Sequence, residues 1–228
     1  MHLLISAGPT REPIDPVRFL SNESTGYMGS RLAAEALARG HRVTVVRGPG
    51  PEPMPSGARV VAVRDARGME AAMRRLAAGA DAVIMAAAVS DFRPARARIS
   101  KLRRRARLTL RLVATPDIIA RLPRRAGGQV RVGFALEGGA VVPQAARKLR
   151  AKRLDLLVAQ RGNGAGSPFG RRAVHAWLLT RRPGAAAPAV RPLGTVAKAQ
   201  VARVLLDKVE ELWYGQHRMR KAGHVAKT

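Results

Sequence analysis

The sequence predicts an α/β fold, a doubly wound and mostly parallel sheet with helices on both faces, on three observations. Short continuous runs of Val, Ile and Leu recur along the chain, they alternate with stretches of helical period, and glycine-rich turns stand at the ends of the first runs. Strands buried on both faces need unbroken apolar sequence, and parallel neighbours need a crossover helix between them. The 228 residues suit one sizeable domain, residues 1–213, followed by a basic tail, residues 214–228, expected to be disordered at its end.

Residues 2–6 form an apolar run stopped by Ala7-Gly8-Pro9, the pattern of a buried strand entering a loop. Residues 10–25 contain Pro13 and Pro16 without a sustained period, so a structured loop is expected. Met28, Leu32, Ala33, Ala36 and Leu37 then fall at helical spacing across residues 26–39, and Gly40 stands where a C-terminal cap belongs. A strand over 42–46, a helix over 65–78 and a strand over 82–86 follow. A helix opening at Thr115-Pro116-Asp117, a strand over 130–134, a helix over 142–152 and a strand over 154–159 repeat the order. Residues 173–179 and 189–193 flank a turn rich in Pro, Gly and Ala, which predicts an added β-hairpin. Residues 195–213 are a final amphipathic helix. The order is Rossmann-like.

Cysteine is absent, which excludes disulfides, thiolate metal sites and Cys nucleophiles. The first residues run into glycine and charge rather than a secretory core. The longest apolar stretch, 82–89, is short of the roughly 20 residues a membrane span needs. A soluble, cytoplasmic protein with no membrane association is expected. Lys and Arg total 42 against 15 Asp and Glu, a formal charge of +27. Only seven of the basic residues are Lys, and the Arg are spread over almost every segment. A diffuse Arg excess reads as compositional bias on solvated faces, with weak, non-specific nucleic-acid binding as its consequence.

In an open α/β sheet the ligand lies beyond the carboxyl ends of the strands, so three loops carry the chemistry. The first runs from Gly8 to Arg18 and on through Ser21-Asn22-Glu23-Ser24-Thr25-Gly26-Tyr27-Met28-Gly29. Hydroxyls and glycines just before a helix let backbone N–H groups face a phosphate, although Ser24 or Thr25 could equally be a helix cap. The second, Ala86-Ala87-Ala88-Val89-Ser90-Asp91, has small residues that let a ligand approach backbone. Asp91 stands at its mouth for a ribose hydroxyl or a metal-bound water, or else as a turn residue. The third offers Phe134 for a base, or as plain core, and Glu137. Eight basic residues between Arg93 and Arg107, among them Lys101, Arg103, Arg104 and Arg105, suggest a mobile flap able to close over a triphosphate.

These segments resemble the phosphopantothenoylcysteine synthetase family. Ser6 to Asn22 with the turn Ser24 to Gly29 looks like its opening signature. Ala86 to Pro94, Lys101-Leu102-Arg103-Arg104, Thr115-Pro116-Asp117-Ile118, Val132-Gly133-Phe134-Ala135 and the segment 152–159 follow in order, so that the resemblance covers residues 3–212. It implies a homodimer with dimer-forming strands, CTP (or ATP) and Mg²⁺. The implied reaction joins 4′-phosphopantothenate to L-cysteine through an acyl-cytidylate.

Asn22 would handle that intermediate and Lys101 the charge of its formation. Gly8, Ser24, Gly26, Gly29, Asp91 and Phe134 would bind nucleotide. Arg18, reaching across the dimer, with Ala87 and Ala88, would bind substrate. No flavin is expected, and a separate decarboxylase would act next. Tyr27, Gly138, Gln160-Arg161 and Arg171-Arg172 depart from the family pattern, which has Lys, Thr, Asn-Asp and acidic or amide residues there. The alternative reading is a homologue that binds nucleotide or RNA as a basic module without full ligase activity.

Overall fold

The computed structural model describes residues 1–104, 106–125, 128–162 and 168–225, and of residues 218–225 the backbone alone. Arg105 of the basic stretch and residues 226–228 of the tail lie outside the described residues. β1 (His2–Ala7) leads into a short hairpin, β2 (Arg11–Pro13) and β3 (Phe19–Ser21), then helix α1 (Tyr27–Ala38) and β4 (Arg42–Arg47). β5 (Arg59–Ala62), α2 (Ala66–Ala77) and β6 (Ala82–Met85) come next. A second hairpin, β7 (Phe92–Pro94) with β8 (Leu112–Ala114), precedes the single turn α3 (Ile118–Arg121). β9 (Val130–Glu137), α4 (Val141–Ala151), β10 (Leu156–Arg161), β11 (Val174–Thr180), β12 (Ala189–Val196) and α5 (Lys198–Val225) follow.

The main sheet has eight strands in the order β12, β11, β10, β9, β6, β1, β4, β5. From β10 to β5 every pairing is parallel, whereas β11 and β12 add an antiparallel edge. The predicted doubly wound α/β fold with a hairpin extension is therefore the observed one. The chain winds from β1 to β4 and β5, then returns to the other side of β1 as β6. The reversal leaves a crevice between the carboxyl ends of β1 and β6, where open α/β sheets hold their ligands.

Strand pleating sends alternate residues to opposite faces. Leu3, Ile5 and Ala7 pack with Leu32, Ala33 and Ala36 of α1 and with Val201, Leu205 and Val209 of α5. Leu4 and Val83 pack on the other face with Met69 and Met73 of α2. Leu32 is fully buried, so truncating it to Ala would cost about 2–5 kcal/mol.

Several boundaries differ from expectation. β5 went unrecognised because it is an edge strand whose Arg59 and Val60 are exposed, so it lacks the continuous burial that marks the inner strands. The loop 10–25 contains the β2–β3 hairpin despite its prolines, because Pro13 ends β2 and leaves Glu12 to pair with Leu20. The helix opening at Thr115 amounts to one turn, capped by Asp117, whose carboxylate accepts from the Ala120 amide at 3.4 Å. The last helix starts at Lys198, since Thr195 and Val196 belong to β12, and it runs on to Val225 through the segment expected to be a tail.

Candidate functional site

At the crevice lies a cavity of about 520 Å³, a size that suits a small-molecule ligand. Of the residues singled out from the sequence, Asn22, Ser24, Ala87, Ala88, Asp91 and Phe134 line it. Gly8, Gly26, Gly29, Arg18 and Lys101 are not among its lining residues.

The three glycines let neighbouring backbones come close beside the crevice. Gly8 has φ +77°, and a Cβ there would stand 2.9 Å from the carbonyl oxygen of Gly48. A Cβ on Gly29 would stand 2.4 Å from the Cβ of Ala7, so α1 lies against β1 only because residue 29 has no side chain. Gly26 occupies the N-cap in the left-handed region and offers no side-chain cap. Thr25 supplies a hydroxyl, accepting from the Tyr27 amide at 3.3 Å, while Ser24 faces the cleft. The start of α1 is thus aimed at the cavity, with Tyr27 and Met28 on its wall.

Asn22 is fastened to the second loop. Its side-chain amide donates to the carbonyl oxygen of Ala88 at 3.0 Å, and the Thr10 amide donates to the same oxygen at 3.3 Å. The Ala88 amide donates in turn to the carbonyl of Gly8 at 2.9 Å, and that of Ala87 to the Ser6 hydroxyl at 3.1 Å. One of the two amide hydrogens of Asn22 is spent on this tether, so its other hydrogen and its oxygen are what it offers a ligand. Asp91 begins the β7–β8 hairpin, where its carbonyl accepts from Thr115 at 2.9 Å, and its side chain faces the cavity. Phe134 serves two purposes, half-buried against the core while its edge lines the cleft.

The basic flap, residues 95–111 between β7 and β8, lies against the turn of the β2–β3 hairpin. The Arg98 amide donates to the carbonyl of Ile14 at 2.8 Å, and the Leu102 amide to Asp15 Oδ2 at 3.1 Å. This docking holds Lys101 outside the cavity. The Arg18 guanidinium pairs with Asp15 at 3.2 Å and reaches the carbonyl of Leu102 at 3.4 Å, because the tight turn brings residues 15 and 18 together. Burial alone would raise the Asp15 carboxyl. Hydrogen bonds from the Val17, Leu102 and Arg18 amides and the charge of Arg18 outweigh it, and hold the group below its ordinary value.

The lysines of the cleft were not singled out from sequence. Among the described residues, Lys148, Lys152 and Lys198 line the cavity and no arginine does. Lys148 pairs with Glu137 at 2.7 Å and Lys152 with Asp117 at 3.0 Å. Lys198 is 5 % exposed, donates to the carbonyl oxygens of Pro168 and Gly170 at 2.7 Å each, and is pushed down to about 8 by burial. Lysine is scarce, seven among 42 basic residues, but that scarcity does not say where the fold takes each one, and three of them converge here.

Among the positions that depart from the family pattern, Tyr27 and Gln160 line the cavity. The guanidinium groups of Arg31 and Arg171 lie over the Tyr27 ring at 5.3 and 5.4 Å. Arg161 lies over Trp177 at 5.6 Å, and Gly138 borders open space. Among the described residues, no three His, Cys, Asp or Glu gather to hold a metal, and no helix is long and apolar enough to cross a membrane.

A doubly wound sheet with a polar cavity of ligand size at its switch point defines an α/β protein of the ligand-binding, open-sheet class. Residues 1–212 match the family described as DNA/pantothenate metabolism flavoprotein C-terminal domain, and the chain belongs to that family. It is 43% identical over 169 residues to the coenzyme A biosynthesis bifunctional protein CoaBC of Bacillus subtilis, covering 72% of this chain and 42% of that protein. The CoaBC protein of Mycobacterium tuberculosis is 40% identical over 190 residues, covering 78% of this chain and 45% of the relative. The chain thus spans less than half the length of these curated relatives. Among solved structures, the C-terminal domain of a CoaBC protein superposes with a TM-score of 0.76 at 32% identity. That match covers 94% of this chain and 98% of the domain.

Proposed function

We propose that the protein is a phosphopantothenate–cysteine ligase acting in coenzyme A biosynthesis. The reaction would activate the carboxylate of 4′-phosphopantothenate with CTP, ATP being the less favoured donor, to give an acyl-cytidylate and pyrophosphate. The amine of L-cysteine would then displace CMP. The observation that carries this reading is the convergence of Asn22, Ser24, Asp91, Phe134 and three lysines on one cleft, in a chain of the family that includes the C-terminal part of CoaBC proteins. A nucleotide has a base for an aromatic edge, a ribose for a carboxylate, and phosphates for ammonium groups and a helix N-terminus.

Mg²⁺ would be held chiefly by the nucleotide's phosphates, with Asp91 as the available carboxylate, which suits an ion that keeps several waters and takes one or two protein oxygens. It would supply charge neutralisation at the phosphates. Asn22, anchored at Ala88, would hydrogen-bond the acyl carbonyl during amide formation, beside Ala87 and Ala88 of the neighbouring loop. Lys101 would reach the leaving pyrophosphate once the flap leaves its dock on Asp15. A homodimer is part of the proposal, supported by β12, an edge strand paired on one side only by β11 and carrying a partly exposed Val190. Arg18 would reach the substrate phosphate across the dimer only by giving up Asp15. A cytoplasmic location fits the reading.

Pyrophosphate release from CTP or ATP with 4′-phosphopantothenate, followed with and without cysteine, tests it. Release without cysteine, with 4′-phosphopantothenoyl-cysteine appearing on its addition, is the expected result. No release with either nucleotide would remove the ligase and favour the second reading, a nucleotide-binding homologue, to which Gln160 in the cleft lends support.

A further inference from the structure

α1 and α5 begin at the same place. Tyr27 and Lys198, their first residues, both line the cavity. Arg39, twelve residues beyond Tyr27, pairs at 3.1 Å with Glu210, twelve residues beyond Lys198. The two helices therefore run side by side in the same direction, and both present their positive ends to the cleft. Gly170, which receives one hydrogen bond from Lys198, also abuts the turn before α1, since a Cβ there would stand 4.0 Å from the Thr25 methyl.

Into this corner comes a buried ammonium without a counter-charge. Among the described residues no carboxylate pairs with Lys198, whereas Lys148 and Lys152 already have Glu137 and Asp117. The residues outside the description include no Asp or Glu. An ammonium has three donors, and two go to the neutral carbonyls of Pro168 and Gly170. Removing a cation from water is costly unless charge compensates it. Among the described residues, the other charged groups on the cavity wall are Asp91, Asp117, Lys148 and Lys152.

We propose that the third N–H of Lys198, together with the adjoining N-termini of α1 and α5, binds a phosphate group of the cleft's ligand, and that Lys198 also holds the 168–170 segment against that phosphate. The inference rests on the ligase reading only for the identity of the ligand. A bound dianion next to the ammonium favours its charged form. Because this group lies at about 8, a phosphate arriving at pH 8 draws a proton onto it.

The test is calorimetric titration of the whole chain at pH 8 with pyrophosphate, CTP, ATP and 4′-phosphopantothenate, each in two buffers of different ionisation enthalpy. Wild type is expected to take up more protons per phosphate ligand bound than Lys198→Arg, since a group at about 8 is partly neutral at that pH while the guanidinium stays charged and the ligand's own titration is common to both. Lys198→Met should lose the extra uptake and bind at least tenfold more weakly. Lys198→Arg should keep most of the affinity. The ligand whose binding changes identifies the source of the phosphate. Should Lys198→Met fail to fold, wild type and Lys198→Arg decide alone. Binding of no phosphate ligand, equal proton exchange in wild type and Lys198→Arg, or unchanged affinity in folded Lys198→Met would overturn the proposal. If pyrophosphate binds through Lys198 while CTP and ATP do not, the nucleotide-dependent ligase falls and this site stands.

Discussion

The carboxylate of Asp15 lies 3.2 Å from the guanidinium of Arg18 and accepts the backbone amide of Leu102, so one buried acid joins the β2–β3 turn to the basic flap. Asp15→Asn keeps the shape but removes the charge that balances Arg18. The flap of this variant should be cut by trypsin severalfold faster within residues 95–111, while the rest of the chain resists. Unchanged digestion would show that Arg98 and Ile14 hold the flap without it. The Asp15 group sits below its ordinary value of 3.8 when folded. Its stabilisation is therefore present above that value and is lost as pH falls through the lower folded one. Wild-type protection should persist down to about pH 4 and vanish only in stronger acid.

Asn22 and Lys101 should fail at different steps. Asn22→Asp sets a carboxylate beside a carbonyl that gains negative charge as cysteine attacks. Amide formation should slow by about 100- to 1,000-fold while nucleotide-dependent activation survives. Lys101→Gln removes the cation from the flap, so even the intermediate should not form. Quenched-flow mass spectrometry reads both: accumulated acyl-cytidylate in the first variant and none in the second. Normal turnover by Asn22→Asp would rule out its assigned role.

Two glycines should respond oppositely to a side chain. Gly29→Ala puts a methyl 2.4 Å from the Cβ of Ala7 at the contact between α1 and β1. Such overpacking costs roughly 1–3 kcal/mol, measurable as a lower denaturation midpoint in urea. Gly138 has nothing within 4 Å, so Gly138→Thr should leave the midpoint within about 0.5 kcal/mol of wild type.

Nucleic-acid binding should be weak and labile to salt. The +27 charge draws polyanions at a distance, yet phosphate contacts carry no base information. Fluorescence anisotropy with unrelated RNA and DNA oligonucleotides should show similar affinities that fade together between low and physiological salt. Sequence-selective binding surviving moderate salt would favour an RNA module.

Periodicity made the inner strands and the long helices legible, because burial on both faces leaves Leu3 to Ile5 or Leu156 to Val158 little choice of residue type. β5 and the β2–β3 hairpin escaped because an edge or a turn is stabilised by few backbone pairings and tolerates Arg59 or Pro13. Of the site, Asn22 and Asp91 could be found since polar residues at strand ends are conspicuous. Lys198 could not: at the start of an amphipathic helix nothing local separates a buried ammonium from a solvated one, and only the fold brings it to Ser24 and Asp91. Gly8, Gly26 and Gly29 were visible as a motif, but their work of letting backbones touch shows only in three dimensions.

The shared starting point of α1 and α5 also sets an order of events during synthesis. Tyr27 and Lys198 are separated by most of the chain, so a nascent polypeptide has one wall of the cleft long before it has the other. On the proposed site, phosphate would be gripped only after α5 has left the ribosome and docked. Ligand affinity is thereby spent on the completed topology rather than on any partial one. Clipping the chain ahead of Lys198 should abolish anion binding outright, however much of the parallel sheet survives.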